Sequence, residues 1–111
     1  MKKFVATFMA RPNGGERPSP EIIAKGIKAW HQWMTDHAAV VIEGGGPLGK
    51  TKKVGPDGIG DTRNLITGFV IVQAEDHDAA ARLFLGHPHF AIFPGDGVEV
   101  MECLPVPGLP Q

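Results

Sequence analysis

The sequence predicts an α+β domain with the order β-α-β-β-α-β and a four-stranded antiparallel sheet. Three observations carry this. Lys3–Ala10 and Leu65–Gln73 are short segments, apolar on both faces, as strands buried on both sides are. Pro20–His37 repeats its apolar residues at steps of three and four, the period of an amphipathic helix. Breaker-rich stretches separate these elements, and 15 glycines and 10 prolines in 111 residues make the turns frequent and tight.

In the first strand, Phe4, Ala6 and Phe8 fall on one face and Val5, Thr7 and Met9 on the other. RPNGGERP, Arg11 to Pro18, is a loop. Ser19 followed by Pro20 marks a helix start, an N-cap hydroxyl before proline at the first helical position, and Glu21 suits the first turn. Ile23, Ile27, Trp30, Met34 and His37 share one helix face, with Lys25, Lys28, Gln32 and Asp36 opposite. Ala39–Gly44 is a short apolar strand, and Lys50–Val54 either extends it or forms a separate arm after the Pro47 bend. GPDGIGD, Gly55 to Asp61, has turn chemistry throughout. Phe69 and Ile71 point one way from the third strand, Val70 and Val72 the other. Asp76 caps a second helix whose inner face is Ala79, Ala80, Leu83 and Phe84, with Gly86 as terminator. HPHFAIFPGDG reads as a loop, Val98–Leu104 as the last strand, and residues 105–111 as a tail after a single domain over residues 1–104.

The order of elements is that of the split β-α-β, or ferredoxin-like, arrangement. Two helices cover one face of its sheet, yet the first and third strands are apolar on both. A second copy of the chain is the simplest cover, so a homodimer with two sheets packed face to face, a dimeric α/β barrel, is expected. The length suits one domain with its own core. A formal charge of −1 gives no basic field for nucleic acid, and 42% hydrophobic residues argue against disorder. The lone Cys103 forms no intramolecular disulfide and fits a reducing compartment. MKKFVATFMARP has the lysines and apolar run of a secretory leader, but Arg11 and Pro12 cut the run short and no small-residue cleavage site follows. No run is long enough to span a membrane, and a cytoplasmic location is expected.

GGGPLGKT, Gly44 to Thr51, matches G-x-x-x-x-G-K-S/T, the phosphate-cradling loop of many nucleotide hydrolases. That loop must enter a helix after Lys50-Thr51, because the helix N-terminus supplies its aligned N–H groups. Here Gly55 and Pro56 stop any helix after about one turn. Pro47 removes a donor, and no apolar strand ends in a magnesium-binding carboxylate. The segment is expected to be a bend leaving the second strand, with no nucleotide partner.

Several blocks together resemble the YCII-related family, also met as DGPF-domain proteins, which are small dimeric α+β barrels. GGGPLGKTKKV is similar to the segment leaving its second strand, and DTRNLITGFVIVQAEDHDAAARLF to its third strand and second helix. GHPHF and VEVMECLPVPG resemble its close, and AWHQWMTDHAAVV its tryptophan-rich subgroup. The blocks cover roughly Val40 to Gly108, and helix one lies before them. The Asp-Gly-Pro-Phe signature is kept only as Asp57-Gly58, followed by Ile59-Gly60. The resemblance implies the fold. The histidine–aspartate pair of better-known members, with its histidine early in helix one, does not transfer, because here His31 and His37 come later, beside Asp36.

The catalytic candidates are His87, His89 and His37. His87 and His89 in GHPH are two apart and point the same way if extended, and a neutral imidazole is a good base near pH 7. The plainer account is a helix ending in which His87 meets the last carbonyls. His37 lies at the helix-one C-terminus, which favours a protonated ring, and half-buried capping is its plainer role. His31 sits on the flank, exposed. A metal would need a third ligand with diagnostic spacing, so neither metal nor cofactor is expected. The ligand-binding candidates are Trp30, Trp33, Lys50, Asp61 and Arg63. Trp30 on the core face and Trp33 near its edge are aromatic walls for a small organic molecule if a cavity exists between helices and sheet. Asp61 and Arg63 share a strand face and pair with each other, unless Arg63 binds a carboxylate ligand. Lys50, Lys52 and Lys53 form a solvated basic cluster or attract an anion. The function expected is binding of a small organic molecule in a sheet–helix pocket. Either a histidine acid–base enzyme of lyase- or dehalogenase-like type or a non-catalytic binding or accessory dimer fits.

Overall fold

The computed structural model describes residues 1–109, so the last two residues of the expected tail, 110 and 111, lie outside the described residues. In chain order the elements are β1 (Lys2–Met9), α1 (Pro20–Asp36), β2 (Val41–Pro47), β3 (Thr51–Gly55), β4 (Gly58–Thr62), β5 (Ile66–Ala74), α2 (His77–Arg82), α3 (Pro88–Ala91) and β6 (Gly97–Glu102). The fold is mixed α+β. Its four-stranded sheet runs β2-β5-β1-β6, all antiparallel, and fits a ferredoxin-like arrangement. β3 and β4 form a separate two-stranded hairpin inserted between β2 and β5.

One face of the sheet holds the core. Phe4, Ala6 and Phe8 of β1 and Val70, Val72 and Ala74 of β5 are buried there with Trp33, Ala80 and Phe84. On the other face, Val5 pairs with Ile71 and Met101, and Thr7 with Phe69 and Glu99. Val5, Phe69 and Ile71 are only half-buried and Met101 is exposed. The molecule is flat, with extents of 49 × 40 × 19 Å. It exposes 8028 Å². A compact monomer of 11.9 kDa exposes about 5,900 Å², so the excess is about 2,000 Å².

The capping signals act as their chemistry dictates. The Ser19 hydroxyl accepts the Ile22 N–H at 3.3 Å, and the Asp76 carboxylate accepts the Ala79 N–H at 2.7 Å. His37 follows the last residue of α1, and its Nδ1–H donates to the Trp33 carbonyl at 2.7 Å, closing the helix C-terminus.

Other parts depart from expectation. Gly58–Thr62 is a strand, because GPDG makes only the turn: Pro56 takes its first central position and Gly58 the positive φ of +107°. Of the two alternatives for Lys50–Val54 the separate arm holds: Thr51 opens β3, and, as expected, no helix follows Lys50-Thr51. Asp61 pairs across the hairpin with Lys52 rather than with Arg63, because β4 places Asp61 directly opposite Lys52. HPHFAIFPGDG contains the short helix α3, with Pro88 at its first position and His87 as its cap. The more buried tryptophan is Trp33, and Trp30 is the half-buried one, the reverse of the expected order. The reason is Gly26. A Cβ there would lie 2.3 Å from the Phe93 ring, so the helix seats itself on its glycine, and the buried positions of α1 are Gly26 and Trp33. Ile27, counted as core by periodicity, is left 48% exposed.

Candidate functional site

A cavity of about 300 Å³ lies between α1 and the β2–β5 side of the sheet. One helical stripe of α1 forms a wall. Ile27, Trp30, His31 and Met34 stand at i, i+3, i+4 and i+7, and all four line it. Phe8 and Phe93 continue the aromatic surface, with ring centroids 4.7 and 6.2 Å from Trp30.

The opposite wall is the paired β2–β5 margin of the sheet. Gly44, Gly46 and Pro47 of β2 line it beside Thr67–Val70 of β5, with Gly46 paired to Phe69 and Pro47 to Gly68. β2 slips register against β5 twice, between Val41 and Glu43 and between Glu43 and Gly46, so each slip inserts an extra β2 residue. Gly45 has φ +62°, and a Cβ there would sit 2.0 Å from the Phe69 carbonyl oxygen. Only glycine permits both the φ and that approach. The Glu43 carboxylate accepts the Gly45 N–H at 3.1 Å and holds the bulge. The glycine run thus shapes a cavity wall.

Polar groups at the cavity are few. His31, exposed on the flank of α1, is the one titratable side chain among the lining residues. The Thr67 hydroxyl donates to the Phe8 carbonyl at 2.8 Å, which leaves its oxygen able only to accept. Sequence reasoning set His31 aside as exposed. The i, i+3, i+4, i+7 stripe with Ile27, Trp30 and Met34 is the signal that contains it.

The other candidates fall into separate places. Trp30 lines the cavity. Trp33 lies deeper, and its Nε1–H donates to the Leu83 carbonyl at 3.0 Å, tying α1 to the end of α2. Lys50, Asp61 and Arg63 gather at a surface cleft by the base of the β3–β4 hairpin, away from the cavity lining.

His87, His89 and His37 form an interior cluster around the tryptophans, and none of them lines the cavity. His87 is fully buried, with its ring centroid 4.6 Å from Trp30, 5.0 Å from Trp33 and 5.1 Å from Phe8. Its Nδ1 accepts the His89 backbone N–H at 3.0 Å, so the neutral ring carries its proton on Nε2. That Nε2 is buried and has no hydrogen-bond partner among the described residues. Burial, then the neighbouring His89 and His37 rings, lowers the His87 pKa from 6.5 to about 4. At neutral pH His87 is therefore an uncharged ring whose free capacity is to donate, not to accept. His89 Nε2–H donates to the Met9 carbonyl at 2.7 Å, which leaves its Nδ1 as the acceptor. His37, stacked 4.3 Å from Trp33, keeps its Nε2 lone pair free of the helix-capping bond.

No family model matches the chain, and no curated protein matches it. Among solved structures, the fold is similar to that of 5-chloro-2-hydroxyhydroquinone dehydrochlorinase (TftG) from Burkholderia phenoliruptrix AC1100, in complex with 2,5-dihydroxybenzoquinone. The TM-score is 0.56 at 18% identity, over 89% of this chain and 90% of that one. At that identity the likeness is one of fold.

Proposed function

We propose that this chain is a cytoplasmic YCII-related protein that works as a homodimer and binds a small, single-ring organic molecule in the cavity between α1 and the sheet. The carrying observation is the cavity itself: about 300 Å³, walled by Trp30, Phe8, Phe93 and Met34 on one side and by the glycine-rich β2–β5 margin on the other. That volume is at the small end of ligand pockets, and a flat ring suits a slot between aromatic side chains and a glycine-rich sheet margin. The quinone bound to the dehydrochlorinase of similar fold is a ligand of this class. The dimer reading rests on the half-buried Val5, Phe69 and Ile71 of the open sheet face and on the excess surface of about 2,000 Å².

Titration calorimetry with hydroquinone and 2,5-dihydroxybenzoquinone tests the binding. The expected outcome is saturable binding that Trp30→Ala weakens by about tenfold or more. Binding unchanged in Trp30→Ala would contradict the assignment.

His31 favours a second reading, a lyase- or dehalogenase-like acid–base enzyme. It is the exposed imidazole at the cavity, placed to exchange protons with a bound ring substituent. In this reading the interior His87 keeps its Nε2–H for donation and is not the base. A turnover that is lost in His31→Gln while binding is kept is its signature. A binder without chemistry gives no turnover in either protein.

A further inference from the structure

The β3–β4 hairpin is attached to the body mainly through its two ends: its strands pair with each other, and neither packs substantially on another element. Apart from half-buried Thr51 and Gly55, its residues are exposed. An isolated two-stranded hairpin is marginal in water and needs a third surface to be stable. The alternation of side chains shows which face seeks one. Lys52 lies opposite Asp61 and Val54 opposite Ile59, so these four share one face. Thr51, Thr62, Lys53 and Gly60 take the other. The first face is apolar near the tip, where Val54 and Ile59 are each 76% exposed, and its two charges neutralise each other.

From this geometry we propose that the hairpin is an arm that grips a second copy of this chain, its Val54/Ile59 face laid on the partner. The proposal rests on the homodimer reading above and names the element that holds the dimer. The surface area favours a copy of this chain over an unrelated partner. An excess of about 2,000 Å² per chain is the scale of one subunit's share of an obligate interface, and the arm and the open sheet face are both uncovered. The open face also offers an acceptor of like character in Val5, Ile71 and Met101, and a two-fold axis lets both arms engage at once.

Sedimentation velocity from 1 to 100 µM, on the full chain, reads the outcome. The wild type is expected to dimerise, and Val54→Asp/Ile59→Asp to weaken the dimer by about 100-fold with unchanged far-UV circular dichroism. If the wild type dimerises and the double variant dimerises equally well, the arm is overturned while the dimer reading stands. If the wild type stays monomeric throughout, both fall. Hydrogen exchange gives a second readout free of substitution. Protection of the β3 and β4 amides is expected to rise with protein concentration through the dimer transition, and concentration-independent protection overturns the arm.

Discussion

The β2–β5 margin and the β3–β4 hairpin are neighbours in sequence and opposites in how they are held. Both are glycine-rich strand pairs, and one leads into the other through Leu48–Lys50. At the margin, contact demands glycine at two positions: Gly45 approaches the Phe69 carbonyl, and a Cβ on Gly68 would be 3.0 Å from the Gly46 carbonyl oxygen. In the hairpin, a Cβ on Gly55, Gly58 or Gly60 would meet nothing within 4 Å. The same residue type is therefore a packing requirement in one region and, apart from the turn, a matter of open space in the other. What differs is contact: Gly45 and Gly68 sit in the tight β2–β5 pairing, and the hairpin glycines stand clear of other atoms.

This contrast is open to test, most strongly at Gly45. Gly45→Ala is expected to cost about 3–4 kcal/mol in urea unfolding, from the left-handed φ and the clash with Phe69. Gly60→Ala, in the hairpin, is expected to cost under about 0.5 kcal/mol. Equal losses at the two positions would erase the distinction.

The interior side also carries a pH dependence. His87 binds its proton at 6.5 when unfolded and near 4 when folded, so the unfolded chain holds more protons between those values. Its stability contribution is intact above pH 6.5 and is lost as pH falls towards 4, by about 3 kcal/mol at about 1.4 kcal/mol per pH unit. Urea midpoints of wild type and His87→Gln, compared from pH 7 to 4, are expected to show a shallower fall in the variant. Parallel curves would remove His87 as the cause.

Smaller effects follow. Trp33→Phe loses the Nε1–H bond to the Leu83 carbonyl and is expected to cost about 1–2 kcal/mol in thermal unfolding. Lys52→Met breaks an ion pair whose side chains are 70% and 83% exposed, and is expected to change stability by less than about 0.5 kcal/mol. A loss at Lys52 as large as that at Trp33 would mean that the hairpin is held by its charges.

Local chemistry made much of this fold readable. Ser19-Pro20 and Asp76 announce helix starts because a capping side chain needs only its own backbone. β1 and β5 announce themselves because apolar residues on both faces have few other homes. The buried face of α1 was harder, since Gly26 carries no hydropathy and its role appears only when Phe93 packs on it. β4 was hidden by its glycines, which read as turn until β3 is laid beside them. At the site, Trp30 was legible as an aromatic wall. His31 was not, because exposure on a helix flank becomes a cavity position only when β2 bulges opposite it. The interior packing of His87 and His89 depends on the α3 turn, which one proline signals faintly.

The central claim is that the cavity beside Trp30 binds a single-ring organic molecule. The chain has two tryptophans, and only Trp30 lines that cavity, so their two indole N–H resonances report on it separately. In a ¹H–¹⁵N titration with 2,5-dihydroxybenzoquinone, the Trp30 resonance is expected to shift saturably. The Trp33 resonance, bonded to the Leu83 carbonyl, is expected to move far less. A saturable shift at Trp33 with Trp30 unmoved would contradict the account.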